Sequence, residues 1–256
     1  MAKVLVVVPF PMSEENRRGR ASQLRAVKLG PGIEFDFRPV RAAPANYTSE
    51  HDSVLADVSI LDACKSAQAE GYDAVCIDTM SDSGLAAARS VLDIPVIGPG
   101  RASMLTALML GERFSILIMW DRWRPLYRKT IAELGLGPRV ASIRSIGVRP
   151  DNQALLAGKE EEVFPLLLAT AEKCIAEDGA EVILLGSTTM HQAHGYLAAR
   201  LPVPVINPGP LTYKLAETAL ALGLRHSRKA FPQPVAPRLE MIDAMLAAAR
   251  QTDKGP

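Results

Sequence analysis

Two short stretches carry most of the residue types in this chain that could hold, or exchange protons with, a small polar molecule. Residues 70–79 read EGYDAVCIDT and residues 178–187 read DGAEVILLGS. Overlaid, each gives an acidic residue with glycine, a second acidic residue, an apolar run and a hydroxyl, so that Thr79 matches Ser187 at an offset of 108. Beyond Thr79 come Met80, Ser81, Asp82, Ser83 and Gly84, and beyond Ser187 come Thr188, Thr189, Met190 and His191. Serine and threonine hydroxyls both donate and accept hydrogen bonds. Thr79, Ser81, Ser83, Ser187, Thr188 and Thr189 are therefore candidates to bind the oxygens of a ligand. Their other use is to cap the helices that follow, although three hydroxyls in a row exceed what one cap requires.

An aliphatic hydroxyl is too weak an acid to serve as a resting base without help. Asp78, one residue before Thr79, and His191, four residues after Ser187, are the candidate acid–base groups. The alternative for Asp78 is a buried carboxylate that satisfies nearby N–H groups, and Asp82 reads as a helix cap. His194 shares a helix face with Met190, Ala193, Leu197 and Leu201 and reads as a packed or surface histidine. The two histidines have no cysteine or carboxylate at metal-ligand spacing, so no metal is expected. Trp120 ends another apolar run and can wall a site, while Arg122 can pair with a carboxylate. Lobe packing and a surface charge are their plainer uses. Tyr47 and Glu50, on a long polar loop, can close over the first stretch.

The elements that must position these groups follow from the apolar pattern. Residues 4–8 form a continuous β-branched run ended by Pro9-Phe10-Pro11, as in a strand buried on both faces. Residues 13–32 are polar and Arg-rich, with a short helix expected near 21–29. Residues 33–40 alternate as a strand. A helix is expected from Ser53 to about Ala69, with Val54, Val58, Leu61 and Cys64 inward. Strand 74–78, helix LAAARSVL and strand DIPVIGPG follow, then a helix over about 102–111. The series then restarts. RFSILIMW matches the first strand, RVASIRSIGV the second, and PVPVINPGP repeats DIPVIGPG. Helices are expected over 121–134, 159–177, 190–201, 211–222 and 237–250.

Strands alternating with helices predict an α/β protein with parallel sheets. The long internal repeat predicts two pseudosymmetric lobes, each a parallel sheet flanked by helices. Lobe 1 is expected to span 1–102 plus 208–256 and lobe 2 to span 103–207. Ligands of such sheets bind at the carboxyl ends of the strands, so the active site is expected in the cleft between the lobes.

Composition narrows the function. A chain of 256 residues with 48% hydrophobic and 22% charged residues and a net charge of +1 reads as a globular protein, not a nucleic-acid binder. The arginines at 17, 18 and 20 read as a solvated loop. The first apolar run is too short for a signal segment or a membrane span. Three widely spaced cysteines without a CxxC motif read as small buried hydrophobes in a reducing cytoplasm. The expected partner is a small-molecule substrate, with no nucleic acid and no membrane. A homo-oligomer is compatible with the sequence.

The segment EGYDAVCIDTMSDSGLAAARSVLDIPVIG resembles the first active-site segment of the aspartate/glutamate/hydantoin racemase superfamily, in its hydantoin and allantoin racemase branch. EDGAEVILLGSTTM and PVPVINPGPLTYKLAETALALGLRHSR extend the resemblance over nearly the whole chain. It implies the two-lobed fold and a cofactor-independent enzyme. Racemases of the superfamily place a cysteine at each motif strand end, one thiolate removing the α-proton and the other thiol returning a proton on the opposite face. Here Thr79 and Ser187 stand at those positions. Pro9-Phe10-Pro11 departs from the Asn and Thr usual in the branch, and Asp78 replaces a small apolar residue. The resemblance therefore implies an enzyme of a small carboxylate or hydantoin-like cyclic amide, working without two thiols as an isomerase, lyase or hydrolase. A non-catalytic small-molecule binder on the same scaffold is the alternative.

Overall fold

The computed structural model describes residues 1–150 and 159–252. It divides into two compact units, Met1–Gly98 with Tyr213–Pro256, and Pro99–Thr212. The crossing thus comes at Gly98/Pro99 and the return at Thr212/Tyr213, against the expected 102/103 and 207/208. Both crossings are helical. The chain enters α4 (Pro99–Leu110) at the first and is inside α8 (Pro208–Ala221) at the second.

The first unit holds β1 (Ala2–Val8), α1 (Glu14–Ala21), β2 (Ile33–Pro39), α2 (Glu50–Cys64), β3 (Ala74–Ile77), α3 (Leu85–Val91) and β4 (Val96–Ile97). Its strands are all parallel, in the order β2-β1-β3-β4. The last helix, α9 (Leu239–Thr252), returns to α2 through Asp243, which accepts from Arg41 and Lys65 at 2.9 Å each. The second unit repeats the plan with β5 (Phe114–Ile118), α5 (Arg124–Glu133), β6 (Val140–Ser145), α6 (Phe164–Ala176), β7 (Val182–Leu185), α7 (Ala193–Ala198) and β8 (Val205–Ile206). The order β6-β5-β7-β8 is again parallel throughout. The central strands are buried on both faces along their apolar runs, into which β5 admits one buried polar residue, Ser115.

Three elements differ from expectation. The Arg-rich stretch is helical from Glu14, not from residue 21. Ser13 caps α1 by accepting from Asn16 N at 3.2 Å, and Glu14 and Glu15 occupy its first turn, where the helix dipole favours anions. Helix α2 starts behind Ser49 and buries Ala56, Ile60, Ala63 and Cys64, while Val54 is 61% exposed. Its inward face is therefore rotated from the one the Val54 spacing indicated. After β7 comes a 3₁₀ turn over Thr188–Gln192, and only then the six-residue α7. Among the described residues, no helix is long and apolar enough to cross a membrane.

Candidate functional site

The first strand end is built on β3. Val75 and Ile77 pack with Leu5, Val7 and Ile60, whereas Ala74 and Cys76 pack with Val6, Phe37 and Tyr213. Side chains alternate along a strand, so Asp78 continues the second set. It is 2% exposed, and its Oδ2 accepts from Arg20 Nε at 2.7 Å. Arg20, on α1, is itself buried, and its carbonyl accepts from Gln23 Nε2 at 3.3 Å. Arg20 is therefore not part of a solvated loop. The carboxylate beside Thr79 sits in a buried ion pair, the structural use weighed against the catalytic one.

Beyond β3 the hydroxyls bond to one another. Thr79 Oγ1 lies 3.1 Å from Ser81 Oγ, and Ser81 Oγ lies 2.8 Å from Ser83 Oγ. Three O–H groups joined by two bonds leave one of the three donors over to meet a ligand oxygen. None of the three caps α3. Its N-cap is Gly84, at φ 71°, whose N–H donates to Asp57 Oδ1 at 2.7 Å. A β-carbon there would lie 2.8 Å from Ile60 Cγ2, so the loop can close on α2 only through glycine. Asp82, expected as a cap, adopts a positive φ of 52° within the turn.

The second strand end repeats the motif. Ser187 Oγ lies 2.7 Å from Thr189 Oγ1, the same two-residue step as Thr79 to Ser81. Ser187 also caps the 3₁₀ turn, accepting from Thr189 N at 3.2 Å, so here capping and hydroxyl pairing coexist. Thr79 and Ser187 are both half-buried, while Thr188 is buried. His191 is half-buried on the turn, and its carbonyl accepts from Asn207 Nδ2 at 3.2 Å. His194 Nε2 lies 3.1 Å from the carbonyl of Val205 and so ties α7 to β8. The segments entered beyond the two strand ends are the seven-residue α3 and a five-residue 3₁₀ turn.

Tyr47 and Trp120 are the other expected groups. Tyr47 is 3% exposed, packs against the Phe10 ring and donates its hydroxyl to the carbonyl of Pro9 at 2.6 Å. It is thus a packed residue that anchors the end of β1, not an open loop residue. Trp120 is half-buried just beyond β5, with the guanidinium of Arg122 over its ring. All three cysteines are buried. Burial pushes the Cys64 thiol up to about 12 and raises those of Cys76 and Cys174. Among the described residues, no cluster of His, Cys, Asp or Glu could hold a metal ion. The Arg20–Asp78 pair was missed because its partners are 58 residues apart. The alternation of Ala74, Cys76 and Asp78 was the one available signal that the carboxylate is buried.

The chain matches the family described as Asp/Glu/Hydantoin racemase over residues 14–216. It is 33% identical to a hydantoin racemase of Pseudomonas sp. (strain NS671) over 190 residues, covering 73% of this chain and 74% of that one. It is 31% identical to a hydantoin racemase of Paenarthrobacter aurescens, covering 88% and 94%. The allantoin racemase from Klebsiella pneumoniae superposes with a TM-score of 0.82 at 28% identity, covering 94% of this chain and 99% of that one. With the repeated parallel sheets and the repeated strand ends, these likenesses place the chain in the Asp/Glu/hydantoin racemase family.

Proposed function

We propose that this protein is an enzyme of a small carboxylate or a hydantoin-like cyclic amide, and that it does not work by two-thiol racemisation. The carrying observation is the hydroxyl pair repeated at the two motif strand ends, Thr79 with Ser81 and Ser187 with Thr189. Each cluster has an O–H to spare for a ligand oxygen, and neither holds a thiol. In the resembled racemases these positions carry the proton-transferring thiols, and here their hydroxyls are proposed as holders of substrate oxygens. The burial of Cys64, Cys76 and Cys174 inside the cores supports the exclusion of thiol chemistry.

Proton transfer then falls to another group. The ion pair of Asp78 with Arg20 favours His191 as the acid–base residue and Asp78 as the residue that positions Thr79. The reaction class lies among isomerisation, decarboxylation or elimination, and hydrolysis. A non-catalytic binder is the second reading, favoured by the same ion pair, which engages the carboxylate nearest the hydroxyls.

Incubation in D2O with hydantoins, amino acids and substituted malonates, followed by NMR and polarimetry, separates these readings. New products without deuterium wash-in to the remaining substrate support lyase or hydrolase chemistry, with decarboxylation placing one deuteron in its product, and His191→Gln then abolishes them. Wash-in with loss of optical activity supports an isomerase, and thiol-independence is checked by the persistence of activity in Cys64→Ala, Cys76→Ala and Cys174→Ala. Shifts on binding without turnover across the panel overturn the enzyme in favour of the binder. Gain of racemase activity is expected in the Thr79→Cys, Ser187→Cys double variant, as the sign that the two hydroxyls stand where the family's thiols act.

A further inference from the structure

Within the second unit, the carboxyl ends of β6 and β5 carry a feature that the hydroxyl clusters do not explain. The segment after β6 runs beside the end of β5. Ile146 N donates to the carbonyl of Ile118 at 3.0 Å, Val148 N donates to that of Met119 at 2.9 Å, and Ser145 Oγ donates to Met119 O at 3.0 Å. This lacing brings Arg149, from one strand end, and Arg122, from the other, to a single indole. Both guanidinium carbons lie 5.7 Å from the centroid of the Trp120 ring. The two charges are therefore separated by no more than twice that distance.

Both arginines are exposed, and neither forms an ion pair with any described residue. Arg101, Arg124, Arg139 and Arg144 of the same unit pair with Glu133, Asp121, Glu112 and Asp178, while Arg113, Arg128 and Arg200 likewise form no ion pair with a described residue, so it is the shared indole that sets Arg122 and Arg149 apart. The local carboxylate is not in reserve for Arg122. Asp121 Oδ1 accepts from Arg124 at 3.0 Å through Nε and at 2.8 Å through Nη2. Stacking on the indole, about 0.5–1 kcal/mol for each exposed cation–π contact, is enough to hold the two cations near one ring against their solvent-screened repulsion. A carboxylate relieves the repulsion and matches the guanidinium fork. The location also fits, because β5 lies beside β7, with Gly186 N donating to the carbonyl of Leu117 at 2.8 Å one residue before Ser187.

We propose that Arg122 and Arg149, presented on Trp120, form a carboxylate-recognition site at the strand ends of the second unit, selecting substrates that bear an acidic group. The identity of the ligand rests on the reading of Ser187 as a ligand holder, whereas the anion site itself does not. Calorimetric titration of the native protein with 5-carboxymethylhydantoin, 5-ethylhydantoin, malonate and sulfate tests the two separately. The expected result is that the acidic hydantoin binds at least roughly tenfold more tightly than the neutral one, as one charge-assisted contact provides. Arg122→Gln and Arg149→Gln each remove that preference, leave the neutral hydantoin unaffected and, being exposed positions, leave the melting temperature in place. The preference also weakens as salt is raised.

Equal affinity for the two hydantoins, unchanged in both variants, overturns the carboxylate site and leaves the proposed function standing. Binding of malonate that depends on the two arginines, with no binding of either hydantoin, sustains the site and overturns the hydantoin reading. Sulfate binding as tightly as malonate overturns selection for carboxylates, and no binding of any probe overturns both proposals.

Discussion

Removing Arg20 while keeping Asp78 tests whether that carboxylate is structural. The pair is 2.7 Å apart, with side chains 4% and 1% exposed. At an effective dielectric of about 20, unit charges at that distance attract by roughly 6 kcal/mol, less where the charge is spread over a guanidinium and a carboxylate. Arg20→Met keeps most of the apolar stem and deletes the cation, leaving a buried carboxylate without its charge partner. The expected loss is about 3–5 kcal/mol of unfolding free energy, the usual cost of breaking a buried pair from one side. For a chain of this size it lowers the melting temperature by about 6–20 °C, at roughly 2–4 °C per kcal/mol. The double variant Arg20→Met, Asp78→Leu removes both charges and recovers most of the loss, since apolar residues of similar volume replace buried pairs at little cost. Urea unfolding followed by far-UV circular dichroism measures all three proteins. A loss below about 1 kcal/mol in the single variant, or a double variant less stable than the single one, refutes the argument that the pair is a dry, charge-compensated structural unit.

Acid should act through Asp52. Burial raises its pKa, but the N–H and hydroxyl of Thr48 and the bonds from Ser49 and His51 outweigh that and bring it to about 2, from 3.8. A lowered folded-state pKa contributes stability that is complete above about pH 4 and lost as pH falls toward 2, so Asp52→Asn is expected to flatten that part of the stability–pH curve. A variant curve parallel to wild type between those limits removes Asp52 from the account. Gly186→Ala places a β-carbon 2.5 Å from Ile118 Cγ2 and 2.8 Å from the carbonyl of Leu117, and should cost about 1–3 kcal/mol as overpacking. Gly137→Ala, with nothing within 4 Å, serves as the control and should leave the melting temperature nearly unchanged. Ellman's reagent at pH 8 should find no reactive thiol in the native protein and three after denaturation, and rapid native labelling would contradict the burial of all the cysteines.

Repetition made much of the fold legible. The apolar runs at 4–8, 74–77, 114–118 and 182–185 can hardly be anything but doubly buried strands, and their order recurs with matching neighbours. The hydroxyl clusters were legible as clusters, though their internal bonding was not, because capping and mutual pairing require the same residue types. The segment 14–21 misled for a physical reason. A helix of Glu, Asn, Arg and Gly shows no apolar face, and its evidence lies in Ser13 and the charge order along its turns. Tyr47 misled because its loop is polar while its ring is packed under Phe10, a contact that no local pattern announces.

The two strand ends carry the same hydroxyl step but are fixed by opposite means. Asp78 and Gly186 occupy matched positions in the repeat, each one residue before the hydroxyl. In the first unit a side chain is present there and is held by charge, through Arg20 on α1. In the second, no side chain fits. The Gly186 backbone lies against Ile118 and Leu117, and its carbonyl accepts from the hydroxyl of Tyr127, a fully buried residue on α5. The first end is therefore open to electrostatic perturbation and the second to steric perturbation. Thr79 should shift when the charge on α1 is altered, while Ser187 should shift when volume is added beneath it. If the hydroxyls are what hold the ligand, both perturbations must weaken binding, although neither touches a hydroxyl. A scaffold that merely caps its own helices would show the losses of stability alone.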